Sequence, residues 1–261
     1  MTATVTWWGH SSMTIDLAAT RVATDPLLTR RLYHLRRAVP EPSERATEAD
    51  VVLVSHLHHD HLHLPSLRRF DAAVPVVVPR GASRQVKGLA ERDLVEVEPG
   101  DEVEVAGVRV QVLAATHEGG RDKLHRGGAV PAIGFRIDDG VTAVWYPGDT
   151  GVRADFAEVE PVDLAAVPIG GWGPTLGDEH LDPEEAAAAV EAVGARWALA
   201  VHYGTYWPLA LRRLHPANHH RLFVTPPQRF VRALAERCPD VAPLTPGFGE
   251  PVALDPATGP R

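Results

Sequence analysis

The sequence predicts an α/β protein in which helices face two β-sheets. Three observations carry that expectation. Short valine-rich runs recur along most of the chain, each bounded by Gly, Pro or Asp. Strong helix starts are few and fall late in the chain, among the last of these runs and after them. No stretch is rich enough in Gly, Pro or Ser to act as a linker, so residues 1–261 are expected to form a single domain.

In chain order, strands are expected over residues 5–8, 13–17, 22–24, 51–55, 74–78, 95–97 and 103–105. Further strands follow over 108–115, 133–137, 141–146, 164–167 and 197–201. Residues 26–50 show no periodicity. Arg30, Arg31, Arg36 and Arg37 alternate there with Leu32, Tyr33 and Leu35, which reads as a solvated excursion or a short helix. A lid or a substrate-facing flap is the functional alternative. Weak helical patterns cover 64–70 and 82–92. A strong helix start stands at Asp182-Pro183-Glu184-Glu185, where an N-cap precedes proline at the first helical position and an acid at the third. The alanine-rich run 186–193 continues that helix and Gly194 stops it. Another helix opens at Thr225-Pro226-Pro227-Gln228, with Phe230, Val231, Leu234 and Cys238 on one stripe.

Composition excludes several classes. The chain is 44% hydrophobic and 23% charged, an ordinary globular profile. No window approaches eighteen consecutive apolar residues, so no membrane-spanning helix is expected. The N-terminal residues lack a basic segment followed by an apolar one, which makes a cytoplasmic location the expectation. A single cysteine, Cys238, excludes an intramolecular disulfide and cysteine-rich zinc modules. Twenty-six basic against thirty-four acidic side chains leave a net charge of −8, which argues against nucleic acid as partner. Fourteen histidines stand out against this background.

Four of them, with an aspartate, follow the run 51–55 as His56-Leu57-His58-His59-Asp60-His61. A strand end would put His56 and His58 on one face, because side chains alternate with period two. The following turn can swing Asp60 and His61 towards a neighbouring point. Two imidazoles in one place, with an imidazole and a carboxylate beside them, make a pair of adjacent metal sites. Three histidines and an aspartate at these offsets would arise by accident in roughly 0.3% of chains of this length and composition.

Here the sequence resembles the metallo-β-lactamase superfamily, whose hallmark is His-x-His-x-Asp-His after a strand. The resemblance implies an αββα sandwich of two mixed sheets flanked by helices, and three later ligands at strand ends. His117 in Ala-Thr-His-Glu, Asp149 in Tyr-Pro-Gly-Asp-Thr-Gly and His202 in Ala-Val-His-Tyr-Gly-Thr match them. The implied assignment gives one metal to His56, His58 and His117, the other to Asp60, His61 and His202, with Asp149 bridging. Zinc is the first expectation, and manganese and iron also suit these ligands. Trp7-Trp8-Gly9-His10-Ser11-Ser12, Thr24-Asp25-Pro26, the stretch 163–171 and His180-Leu181-Asp182-Pro183 narrow the likeness. They resemble the branch holding N-acyl-phosphatidylethanolamine-hydrolysing phospholipase D and the ascorbate-6-phosphate lactonases. His58, where the di-iron redox branch typically has a carboxylate, points away from electron transfer. Asp149 points away from the true β-lactamases.

The implied activity is hydrolysis by a metal-bridging hydroxide, with Asp60 orienting the nucleophile and relaying a proton. His180, on the loop before a capped helix, is a candidate to protonate the leaving group or hold an oxyanion, or else a plain loop histidine. The first expectation for substrate is a phosphodiester in a small anionic molecule of phospholipid origin. The alternative is a phosphorylated or acidic lactone. A non-catalytic metal-binding module is the reading from another class. Around the site, His10 is a candidate hydrogen-bond partner of a ligand carboxylate, and Asp25 a candidate to orient a ligand histidine or to cap a turn. His59 and His63 sit at the wrong offsets and read as spectators. His215, His219 and His220 are interrupted by Pro216 and are not expected to form a third site. Trp172, Tyr203, Tyr206 and Trp207 flank the site in sequence, as core or as substrate-packing aromatics.

Overall fold

The computed structural model describes residues 2–121, 128–171 and 177–255. All twelve expected strands are present, with ends shifted by up to a few residues. They form two seven-stranded mixed sheets. The first runs, in hydrogen-bonded order, Pro251–Ala253, Thr4–Gly9, Ser12–Asp16, Arg21–Thr24, Val51–Leu53, Val76–Pro79 and Leu94–Val97. The second runs Ala242–Leu244, Trp197–Val201, Leu164–Pro168, Ala143–Tyr146, Pro131–Asp138, Val108–Glu118 and Glu102–Val105. Each sheet is antiparallel through its meander and parallel through its crossovers.

The inner faces of both sheets share one core. Val5, Ile15, Val51 and Leu53 of the first sheet join Val110, Phe135, Val144 and Leu199 of the second. Full burial of each such side chain is worth roughly 1.5–3 kcal/mol relative to exposure. Ala186, Ala187 and Val190 of helix Pro183–Val193 and Phe230 and Leu234 of helix Pro226–Arg237 cover the outer face of the second sheet. Leu57, Leu62, Leu67 and Phe70 cover the outer face of the first, over Val52, Val76 and Val78. The result is the αββα sandwich that the family resemblance implied.

Some local expectations are corrected. The helix at 64–70 is only the single turn Leu64–Leu67. That at 82–92 is only Ala82–Gln85, because Val86 is already extended and Gly88 takes a positive φ of 86°. The strand at 51–55 ends at Leu53, so His56 and His58 lie on the following loop and not on a strand face. Residues 26–50 are neither a bare excursion nor an α-helix. Arg31–Leu32 and Leu35–Arg37 form a β-hairpin that pairs with Tyr206–Trp207 as a third small sheet, and a 3₁₀ turn follows at Glu44–Thr47. Among the described residues, no helix is long and apolar enough to cross a membrane.

Candidate metal centre

All seven expected ligands converge where the parallel strands of both sheets end. Asp25 follows strand Arg21–Thr24, His56 follows Val51–Leu53, Asp149 follows Ala143–Tyr146, and His202 directly follows Trp197–Val201. In open α/β sheets, ligands collect beyond the carboxyl ends of strands, where loops diverge. His117 alone lies within a strand, one residue from the end of Val108–Glu118. The approach of the two sheets is close enough to demand glycine at Gly148. A Cβ there would sit 2.5 Å from that of Ser55, and φ is +64°.

The first donor set is His56, His58 and His117. His58 Nδ1 lies 3.0 Å from His56 Nε2 and 3.2 Å from His117 Nε2. The Glu179 carbonyl, 3.2 Å from His117 Nδ1, must accept a proton from it, which leaves Nε2 a bare lone pair. Three ring nitrogens around one point suit a shared cation better than a shared proton.

The second set is Asp60, His61 and His202, with His10 completing the cluster. The same tautomer logic applies. The Gly170 carbonyl accepts from His202 Nδ1 at 2.9 Å, and Asp25 Oδ2 accepts from His61 Nδ1 at 2.6 Å. His202 Nε2 is therefore bare, and it, His61 Nε2 and Asp149 Oδ1 are all buried without a hydrogen-bond partner. Yet His202 Nε2 and His61 Nε2 lie only 3.1 and 3.3 Å from Asp149 Oδ2, and 3.8 and 3.9 Å from Asp60 Oδ2. Buried polar atoms are ordinarily satisfied. Orphaned lone pairs facing carboxylate oxygens are what a divalent cation would satisfy. Asp149 also belongs to a cluster with His117 and His180, so it links the two sets.

Asp25 and His10 act on the ligands from behind. Asp25, fully buried, accepts from Ser55 N at 2.7 Å, from Ser55 Oγ at 2.5 Å and from the Tyr146 hydroxyl, besides His61. It thus fixes the orientation of His61, a candidate ligand, in the way metal sites commonly require. His10 Nε2 lies 3.0 Å from Asp60 Oδ2, its amide donates to Thr205 Oγ1 at 2.6 Å, and its carbonyl accepts from His202 N at 3.0 Å. His10, Asp25 and His202 all take positive φ, at 52°, 34° and 60°. Such strain in non-glycine residues persists only where surrounding contacts hold it, commonly at functional sites.

Electrostatics favours neutral imidazoles and charged carboxylates. Burial, aided by neighbouring imidazoles, holds His56 well below its usual range, and burial pushes His117 and His10 down to about 4. Burial alone would raise Asp149 and Asp60, but His202 and His61 hold the first, and His61 and His10 the second, well below the carboxylate range. His61 is the exception. Burial lowers it, but Asp149, Asp25 and Asp60 outweigh that and hold it well above 6.5. Three carboxylates around one ring call for positive charge, from a proton or from a bound cation.

His180 Nε2 lies 3.5 Å from Asp149 Oδ2, and its ring centroid is 4.8 Å from that of His117, so the loop before helix Pro183–Val193 does bring it to the site. His63 bonds to Ser66 Oγ at 2.8 Å, and His59 packs edge-on against Tyr33. A cavity of about 310 Å³ opens beside His10 and His202, walled by Tyr203, Tyr206, Trp207, Leu222 and Phe223, with His215 also on its lining. Trp172 lies outside the described residues. Sequence reasoning missed Tyr146, Ser55 and Thr205, which read as core strand and loop residues. Only their place beside a ligand segment could have marked them.

Comparison with known proteins identifies the family. The family model described as a beta-lactamase superfamily domain matches residues 20–203. The chain is 30% identical over 237 residues to N-acyl-phosphatidylethanolamine-hydrolyzing phospholipase D 1 of Caenorhabditis elegans. That match covers 77% of this chain and 64% of the worm protein, so the chain spans less than two thirds of that relative. A metal-dependent hydrolase of Thermococcus onnurineus is 32% identical over 219 residues, covering 79% of this chain and 87% of its own length. The structure of a metallo hydrolase from Ignicoccus hospitalis superposes with a TM-score of 0.72 at 22% identity, covering 98% of this chain and 99% of that one.

Proposed function

The chain belongs to the metallo-β-lactamase superfamily, and from that premise we propose that it is a metal-dependent hydrolase with a dinuclear centre, acting on a phosphodiester. One observation carries the reading: two sets of imidazole donors meet at a single buried carboxylate, Asp149, beside which two ring nitrogens lack a hydrogen-bond partner. His56, His58 and His117 would hold one divalent ion, Asp60, His61 and His202 the other, and Asp149 would bridge them. Zinc is the first expectation for such nitrogen and oxygen donors, with manganese and iron also suited. Divalent ions held there supply Lewis acidity and a water-derived nucleophile at neutral pH.

The side chains supply the rest. His10 fixes one oxygen of Asp60, leaving its carboxylate oriented to position incoming water and take up its proton. As the new phosphorus–oxygen bond forms and the ester bond breaks, His180 hands a proton to the departing alkoxide. The cavity beside His10 and His202 offers an aromatic wall to the organic part of a small anionic substrate. A phosphodiester of phospholipid origin is favoured by the similarity to the worm phospholipase.

Elemental analysis of protein purified without chelators tests the centre. About two ions per chain are expected, falling sharply in Asp149→Ala. Hydrolysis of bis(4-nitrophenyl) phosphate, run beside a phosphorylated lactone, tests the reaction. Turnover of the diester that disappears in Asp60→Asn is expected. An Asp60→Asn protein with an unchanged rate overturns the mechanism, and turnover of the lactone alone overturns the substrate class.

A further inference from the structure

Two stretches of this acidic chain contain no carboxylate at all. Residues 26–40 hold four arginines, and residues 192–235 hold six, on a protein of net charge −8. Of these, Arg30 pairs with Glu41, Arg196 with Asp163 and Arg229 with Glu184, so the charges that count here are those of Arg31, Arg36, Arg212 and Arg213. The fold brings parts of the two together. Trp207 pairs in register with Arg36, and Arg36 with Arg31, so Trp207, Arg36 and Arg31 fall on one face of the small sheet. Like charges directly opposite each other destabilise a strand pair. His34 of the hairpin and Leu211 and His215 of the later segment all line the cavity of about 310 Å³.

The same two stretches carry most of the exposed apolar bulk. Tyr33 is 69% exposed and Leu214 68%, and with Leu211 and Val224 they make four of the six large exposed hydrophobics among the described residues. Residues 211–218, the last four of helix Leu209–Leu214 and the start of the next, are exposed at every position. Leu214 thus stands exposed beside Arg212 and Arg213, with Leu211 at the edge of the cavity.

We propose that this face, formed by hairpin 31–37 and segment 211–224, docks the protein on an anionic lipid bilayer, with the cavity mouth turned to the membrane. Arginines near an anionic leaflet attract it, and apolar side chains among them enter the headgroup boundary. A second copy of the chain fits worse, because a two-fold contact through this face would set arginines against arginines. A nucleic acid would leave Leu214 and Leu211 in water. Docking needs neither metal nor turnover, so it stands or fails separately from the hydrolase reading.

Sedimentation with phosphatidylcholine vesicles, with and without phosphatidylglycerol, tests the proposal on the full chain. Binding to the anionic vesicles alone is expected, lost at about 0.5 M salt. Arg212→Gln with Arg213→Gln should lower the partition coefficient roughly 30-fold, at about 1 kcal/mol per arginine. Leu214→Ser with Tyr33→Ser should lower it too, with unchanged circular dichroism. Equal binding to neutral vesicles, or none to either, overturns the proposal. So does a dimer in solution that Leu214→Ser dissolves, or binding of single-stranded RNA without binding of vesicles.

Discussion

Replacing Asp25 by asparagine preserves volume but removes the carboxylate that fixes the His61 tautomer and accepts from Ser55 and Tyr146. Metal affinity is expected to fall about 10–100-fold, read by competition with a chelating dye. Tyr146→Phe should fall in the same direction by less, since three donors to Asp25 remain. At this scale the sequence exposed the candidate ligands, because His56, His58, Asp60 and His61 sit within six residues and their chemistry is written in their types. Tyr146 escaped notice because a tyrosine in a buried strand carries no local mark of whom its hydroxyl meets. Asp25 was readable only as an ambiguity between a cap and an orienting carboxylate, which the His61 contact resolves.

Among the elements, helix Pro183–Val193 is held at its start by a capping box. The Asp182 side chain accepts from the Glu185 amide at 2.8 Å, and Glu185 Oε2 from the Asp182 amide at 2.9 Å. Asp182→Ala is expected to cost about 1 kcal/mol and to lower the melting temperature by roughly 2–4 °C in differential scanning calorimetry. This helix was legible because its signals are local: cap, proline, acid, and Gly194 in the left-handed region at φ +72°. Hairpin Arg31–Leu32 with Leu35–Arg37 was not. Its strands are two and three residues long, and they are stabilised by pairing with Tyr206–Trp207, far away in sequence. The single turns Leu64–Leu67 and Ala82–Gln85 fell short for a related reason. Short apolar patterns look helical, but contact with the sheet, not propensity, decides how far they run.

Across the whole molecule, stability should follow both metal and pH. Anything that binds the fold and not the unfolded chain stabilises it, by about 2.7 kcal/mol at a hundred times its dissociation constant. Chelation is therefore expected to lower the melting temperature, and zinc to restore it. For the chelated protein the pH trend follows from the buried imidazoles. His117 and His10, lowered to about 4 from 6.5, take up protons on unfolding between those values. Their contribution is fully present above 6.5 and declines towards pH 4, at about 1.4 kcal/mol per unit for each group. His61, raised by Asp149, Asp25 and Asp60, works in the opposite sense, with stability present below 6.5. His56 joins the lowered set, so the balance is a loss on acidification. Calorimetry of chelated protein from pH 7 to pH 4.5 should show the melting temperature falling, and a flat profile contradicts it.

The backbone hydrogen bond from His202 N to the His10 carbonyl joins residues 192 positions apart, one from each sheet. Loop closure over such a span comes late, after each sheet has gathered its own nearer strands. During synthesis the residues of the trio His56, His58 and His117 have all emerged with the first half of the chain, whereas the set around His202 waits for nearly four fifths of it. With the dinuclear centre proposed above, filling of the second position would thus signal completed assembly. A chain that stalls or misfolds late would carry at most a partial metal complement, and chemistry that needs both positions would stay silent until the two halves have met.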